Sequence, residues 1–148
     1  MSDHFEDGAR EWSPAPGLVV LAWLLAIGAA AWCVLLWWTG ADPPGLLLAA
    51  VAAVGSAIAA LFGTRARPRL RADADGLTVG GLLGTRHHPW PFVVGVRVLR
   101  VRRLGRESSV LEVDTVNADG EERLLVFGRL DLAADPEDVA PELQALRP

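Results

Sequence analysis

Apolar and polar positions are distributed along this chain in two different ways. Residues 17–38, GLVVLAWLLAIGAAAWCVLLWW, run for twenty-two positions without a charged side chain. As a helix they would extend about 33 Å, enough to cross a hydrocarbon core of roughly 30 Å. Residues 45–62, GLLLAAVAAVGSAIAALF, form a second run of eighteen, about 27 Å long as a helix. Only TGADPP separates them, and Pro43 and Pro44 cannot continue a helix because proline lacks the amide donor and clashes with the preceding turn. The pattern predicts a helical hairpin. Neither run carries the polar stripe of a helix packed on a soluble core, so both are expected to span a membrane. The start of the chain, MSDHFEDGAREW, is net acidic, and the apolar stretch behind it is too long for a cleavable leader. No cleavage is expected.

Beyond Pro68 short apolar runs alternate with turn dipeptides, the pattern of a small β-rich domain of about eighty residues with at least five strands. RLRADADGLTV reads as a hairpin in which Asp75-Gly76 supplies the positive φ angles of a two-residue primed turn, and Asp119-Gly120 marks another turn. In FVVGVRVLRVRR, Val94, Val96 and Val98 share one face while Leu99 and Val101 lie on the other, a phase change that requires a bulge or a break. The closing DPEDVAPELQALRP predicts an amphipathic helix, with Asp135 as N-cap, Pro136 in the first position, and Val139, Leu143 and Leu146 on one face. Pro141 is expected to kink it or to delay its regular part.

The expected organisation is therefore a cytoplasmic tail over 1–16, a transmembrane hairpin over 17–63, a basic junction over 64–67 and a β domain over 68–148. Arg65, Arg67, Arg69 and Arg71 follow the second span at every other position, whereas the 39–44 loop carries no basic residue. Short arginine-rich flanks stay cytoplasmic, so both termini are placed in the cytoplasm and the protein in the inner (plasma) membrane as a multi-pass chain. Trp12 and the Trp37/Trp38 pair fall near opposite edges of the first span, where indoles favour the headgroup zone; Trp23 and Trp32 fall deeper. Ala49, Ala53 and Ala57, with Ala52, Ser56 and Ala60, give the second span small-residue spacings that allow close helix approach.

The order LRADADGLTV, HHPWPFVVGVRV, NADGEERLLVF and DPEDVAPELQAL, behind two apolar spans, resembles the actinobacterial bacterial PH domain membrane proteins of the low molecular weight protein antigen 6 type. The resemblance implies an α+β architecture: a transmembrane hairpin followed by a PH-like β-sandwich or partly open barrel, closed at one end by the C-terminal helix. It also implies that Trp90 opens a strand and that Val93 anchors it, and it carries over no catalytic residue.

Charge divides the distal region. Residues 64–106 hold ten arginines against Asp73 and Asp75, +8, and residues 107–148 hold three arginines against eleven acids, −8. All fourteen basic residues are arginine. Two basic clusters are candidate sites: Arg65, Arg67, Arg69 and Arg71 as topology signal and headgroup contacts, and Arg97, Arg100, Arg102 and Arg103, with Arg106, as a basic patch. RVLRVRRLGR has no interleaved aromatic to stack bases, which argues against nucleic acid. His87 and His88 are adjacent and lack nearby Cys or acidic companions, so no metal is expected. Cys33 is the single cysteine, excluding an internal disulfide. GGLLG lacks the lysine of a phosphate loop, Ser108 and Ser109 have no histidine near them in sequence, and no cofactor, small-molecule substrate or reaction is indicated. The expected task is nonenzymatic: to bind or position a membrane or cytoplasmic protein partner at the bilayer. Two alternatives are an anionic-lipid surface sensor, and an accessory subunit of a membrane transporter or envelope enzyme that docks through Trp23, Trp32 and the alanine ridge.

Overall fold

The computed structural model describes residues 8–40 and 42–148; residues 1–7 of the N-terminal tail lie outside it. Two helices of 23 residues dominate the first half, α1 over Pro16–Trp38 and α2 over Pro43–Arg65. Both begin with proline in their first turn, where the missing amide costs no hydrogen bond. Each is long and apolar enough to cross a membrane.

The two helices pack closely on each other. Ala26 of α1 and Ala49 and Ala60 of α2 are buried, and Ala53, Ser56 and Ala57 are half-buried. The small-residue ridge of α2 therefore lies largely at the α1–α2 contact and is not an open docking face. A Cβ at Gly63 would come within 3.0 Å of Val19 on α1, so the helices also meet closely at the end nearest the β domain. There Trp23 Nε1 donates to Thr64 Oγ1 at 3.0 Å. The rest of the hairpin surface is bare hydrocarbon, with Leu24, Ile27, Leu47 and Leu48 all more than 60% exposed.

Among the described residues, seven strands form two antiparallel sheets. The first has the order β1 (Arg10–Trp12), β2 (Leu70–Ala72), β3 (Gly76–Gly81), β4 (Gly84–Pro89), and the second β5 (Val93–Arg103), β6 (Arg106–Val116), β7 (Glu122–Gly128). A 3₁₀ turn, Trp90–Phe92, joins the sheets. A four-residue helix α3 (Arg129–Leu132) and α4 (Pro136–Leu146) complete the chain, with α4 packed on β5 and β6.

Strand β1 corrects the reading of the N-terminal segment as a tail. Its three residues pair with β2, Arg10 opposite Ala72 and Trp12 opposite Leu70. Trp12 is buried in the β core rather than standing at a membrane edge. Three residues carry no periodicity, so this strand left no signal in the pattern.

Two local expectations also change. Gly76 does not adopt positive φ. The turn instead forms around Asp73, whose Oδ1 accepts from the amides of Asp75 at 3.0 Å and Gly76 at 3.1 Å. Glycine is required at 76 because a Cβ there would lie 2.8 Å from Pro89 Cα, inside the adjacent strand. The β5 irregularity falls between Val93 and Gly95, not near Leu99. It turns Val94 outward and lines Val93, Val96 and Val98 along the inner face, opposite Thr115, Val113 and Leu111. Gly120, with φ +81°, closes the β6–β7 hairpin near the expected site.

The core gathers Leu70, Leu77, Trp90, Val93, Leu111, Val113 and Phe127 from the sheets with Leu132, Val139 and Leu143 from the helices. Asp135 caps α4 by accepting from Glu137 N at 3.0 Å, and the helix runs unbroken through Pro141. Trp90 precedes β5 instead of opening it, and its Nε1 donates to the Asp73 carbonyl at 2.9 Å, tying the sheet junction to the β2–β3 turn. Replacing Trp90 by Phe leaves that half-buried carbonyl unpaired and is expected to destabilise the protein by about 1–3 kcal/mol. Denaturant melting of the detergent-solubilised full chain measures it.

Candidate functional site

The four alternating arginines do not form one cationic face. Arg65 ends α2 and is exposed, with no ion pair among the described residues. Arg67 reaches back across the junction, its Nη2 donating to Pro14 O at 2.9 Å. Arg71, half-exposed, pairs with Glu11 at 3.1 Å across the β1–β2 contact and lies 3.9 Å from Asp73.

Arg69 is enclosed. Its guanidinium packs 5.2 Å from the centroids of both Phe62, in the last turns of α2, and Phe127, on β7. Nη1 donates to the Gly80 carbonyl on β3, and Nε lies 3.8 Å from Asp131. One side chain thus links the end of the membrane-type helix to both sheets and α3.

The second basic cluster is distributed in the same way. Arg97 Nη2 donates to Asp114 Oδ2 at 2.7 Å, with Glu112 at 3.8 Å. Arg100 Nε donates to Glu137 at 2.8 Å, and Ser109 Oγ shares that carboxylate at 3.2 Å. Arg102, Arg103 and Arg106 cluster at the β5–β6 tip without ion pairs among the described residues. The tip is a two-residue turn, Leu104-Gly105, with φ +51° and +77°. The basic and acidic halves of the sequence therefore meet across β5, β6 and α4.

His87 and His88 point to different surroundings. His87 is exposed, with Nδ1 3.0 Å from Thr78 Oγ1, while His88 is buried. Among the described residues no three His, Cys, Asp or Glu side chains gather as a metal would require. Of the larger openings, one lies between the end of β3, the start of β4 and β7. It has a volume of about 480 Å³ and is lined by Arg69, Leu82, Arg86, His88, Arg123 and Leu125. Arg86 and Arg123 are far apart in sequence, so their approach is visible only once the two sheets are folded together.

Two sheets joined at a corner and closed by a C-terminal helix are the architecture expected of a PH-like domain, and residues 67–148 match the Bacterial PH domain family. The chain belongs to the bacterial PH domain family. It is 38% identical over 104 residues to an uncharacterised protein of Mycobacterium tuberculosis strain H37Rv and equally to its counterpart in strain CDC 1551, spanning 70% of this chain and 71% of each relative. No solved structure matches it.

In this bacterial PH domain, burial holds the His88 imidazole below its ordinary pKa, and the neighbouring His87, Arg86 and Arg123 push it the same way. Neutral His88 is therefore favoured by folding. Its contribution is complete above the unfolded value near 6.5 and is lost as pH falls through and below it, because the unfolded chain then binds the proton that the folded chain resists. The melting temperature is expected to drop between pH 7.5 and 5.5, and His88→Gln should flatten that part of the profile. The junction arginines should also separate in thermal and denaturant melts: Arg69→Ala is expected to destabilise by about 2–4 kcal/mol through lost cation–π and charged hydrogen-bond contacts, and Arg71→Ala by under about 1 kcal/mol.

Proposed function

We propose that this protein is a nonenzymatic scaffold that spans the membrane twice and holds its PH-like domain rigidly at the cytoplasmic surface, where the domain binds a protein partner. The pairing of β1 with β2 carries this reading. It joins the chain entering α1 to the chain leaving α2 within one sheet, so both flanks lie at the same end of the hairpin. Arg67 on Pro14 and Arg69 on Phe62 tighten the same junction. Arg65 and Arg67, against an uncharged-to-acidic loop at the far end, favour a cytoplasmic junction. The bare apolar flanks of α1 and α2 are suited to lipid and not to water.

The partner surface is the outer face of the β5–β6–β7 sheet. Val94, Leu99, Leu124 and Val126 are 59%, 41%, 53% and 47% exposed there, around the Arg97–Asp114 pair. Apolar side chains grouped on a rigid sheet, with an ion pair among them and an open strand edge at β7, are what a protein ligand uses. A sensor acting through residues 65–71 has less to offer, because Arg69 and Arg71 are already engaged within the chain. Membrane crosslinking of the wild type is expected to yield a discrete heterocomplex that Leu124→Asp/Val126→Asp abolishes. An unchanged complex would move the partner to another face, and absence of any complex in the wild type would sink the proposal.

A further inference from the structure

The opening between β3, β4 and β7 is on the opposite side of β7 from the partner face: Arg123 and Leu125 line it, while Leu124 and Val126 face outward. It also adjoins the hairpin. A Cβ at Gly80 would lie 3.3 Å from the Ala66 carbonyl, at the C-cap of α2, and Arg69 bridges Gly80 to Phe62. The β3–β4 turn, Gly81 to Gly84, extends from this point. It carries Leu82, which is exposed, and Leu83, which is fully exposed. Two leucines on a glycine-flanked turn are poorly placed in water and well placed beside a bilayer.

We infer that this opening is a binding site for one anionic phospholipid of the adjoining cytoplasmic leaflet, with Leu82 and Leu83 at its mouth taking the acyl side and Arg86 and Arg123 holding the phosphate. The inference rests on the membrane reading of the hairpin but not on the protein partner. Its volume of about 480 Å³ falls within the range of small-ligand sites. Arg86 follows Leu83 by three residues, about 10 Å along a strand. The headgroup layer is about 5–8 Å deep, so with the turn at the acyl boundary the Arg86 backbone lies just outside the layer and its side chain meets the phosphate by folding back toward the bilayer. Arg86 has no ion pair among the described residues, and Arg123 only a loose one, 3.9 Å to Glu121. The lining has no carboxylate to repel an anion. His88 lies in the same wall and is uncharged near neutrality, so a bound phosphate would raise its pKa and tighten as the pH falls.

Native mass spectrometry of the full-length protein in mild detergent, titrated with phosphatidylglycerol or phosphatidylcholine, tests this. Wild type is expected to retain phosphatidylglycerol in preference to phosphatidylcholine. Arg86→Gln/Arg123→Gln should bind it about thirtyfold more weakly, from about 1 kcal/mol for each arginine near a membrane surface. Leu83→Asp, at an open position that cannot disturb the core, should weaken it as well, whereas Arg65→Gln/Arg67→Gln and Arg102→Gln/Arg103→Gln should change it less than about threefold. Equal retention of phosphatidylcholine, unchanged binding by the Arg86/Arg123 variant, or loss in the Arg65/Arg67 variant would overturn the assignment. Competition by glycerol phosphate at lipid-like concentrations would replace the lipid with a soluble anion. A chain that stays monodisperse without detergent would overturn the membrane reading itself, by a separate measurement.

Discussion

The architecture turns on a guanidinium placed where three apolar elements meet. Arg69 lies between Phe62 of α2 and Phe127 of β7, donates to β3 and faces Asp131 of α3. A charge removed from water is costly unless its surroundings replace the lost hydration. Here two aromatic faces, the Gly80 carbonyl and the Asp131 carboxylate at 3.8 Å supply part of that replacement, while the buried Nε makes no hydrogen bond among the described residues. No apolar side chain of similar length would make the polar contacts, and a lysine could not stack its flat face on two rings. The membrane-type hairpin and the β domain are consequently one packed unit at this point, with no free linker between them.

Much of this was legible in the sequence because it follows from strong periodicities. Two long uncharged runs around Pro43-Pro44 gave the helices, and Asp135-Pro136 gave the start of α4. The errors arose where short-range patterns compete. Asp75-Gly76 has the composition of a primed turn, but Asp73 captures the local amides and Gly76 is constrained by the neighbouring strand instead. The valines of β5 permit a phase change at several positions, and only pairing with β6 selects Val94 as the extra residue. Pro141 is the sixth residue of α4, past the first turn, so the helix continues through it at the cost of the hydrogen bond its amide would have made to the Glu137 carbonyl. The cluster around Arg86, His88 and Arg123 could not be read at all, since it exists only where strands separated by more than thirty residues come together.

Charge shows the same dependence on topology. Counted along the chain, the distal region is a basic block followed by an acidic block. Antiparallel pairing lays one against the other, so Arg97 meets Asp114 and Arg100 meets Glu137. A linear count thus overstates the field available to a membrane or polyanion. Eight arginines have no ion pair among the described residues, and they are scattered: Arg65 and Arg67 at the helix end, Arg86 on β4, the Arg102, Arg103, Arg106 group at the far hairpin tip, Arg129 on α3 and Arg147 at the end of α4.

Strand β1 has a consequence for biogenesis. It leaves the ribosome before either long helix, yet its partner β2 emerges only after both, some sixty residues later. If α2 did not fold back along α1, these two segments would be held a helix length apart, leaving the Trp12 socket empty and one edge of β2 unpaired. Completion of the sheet thus requires the two helices to return the chain to the end of the hairpin from which it left.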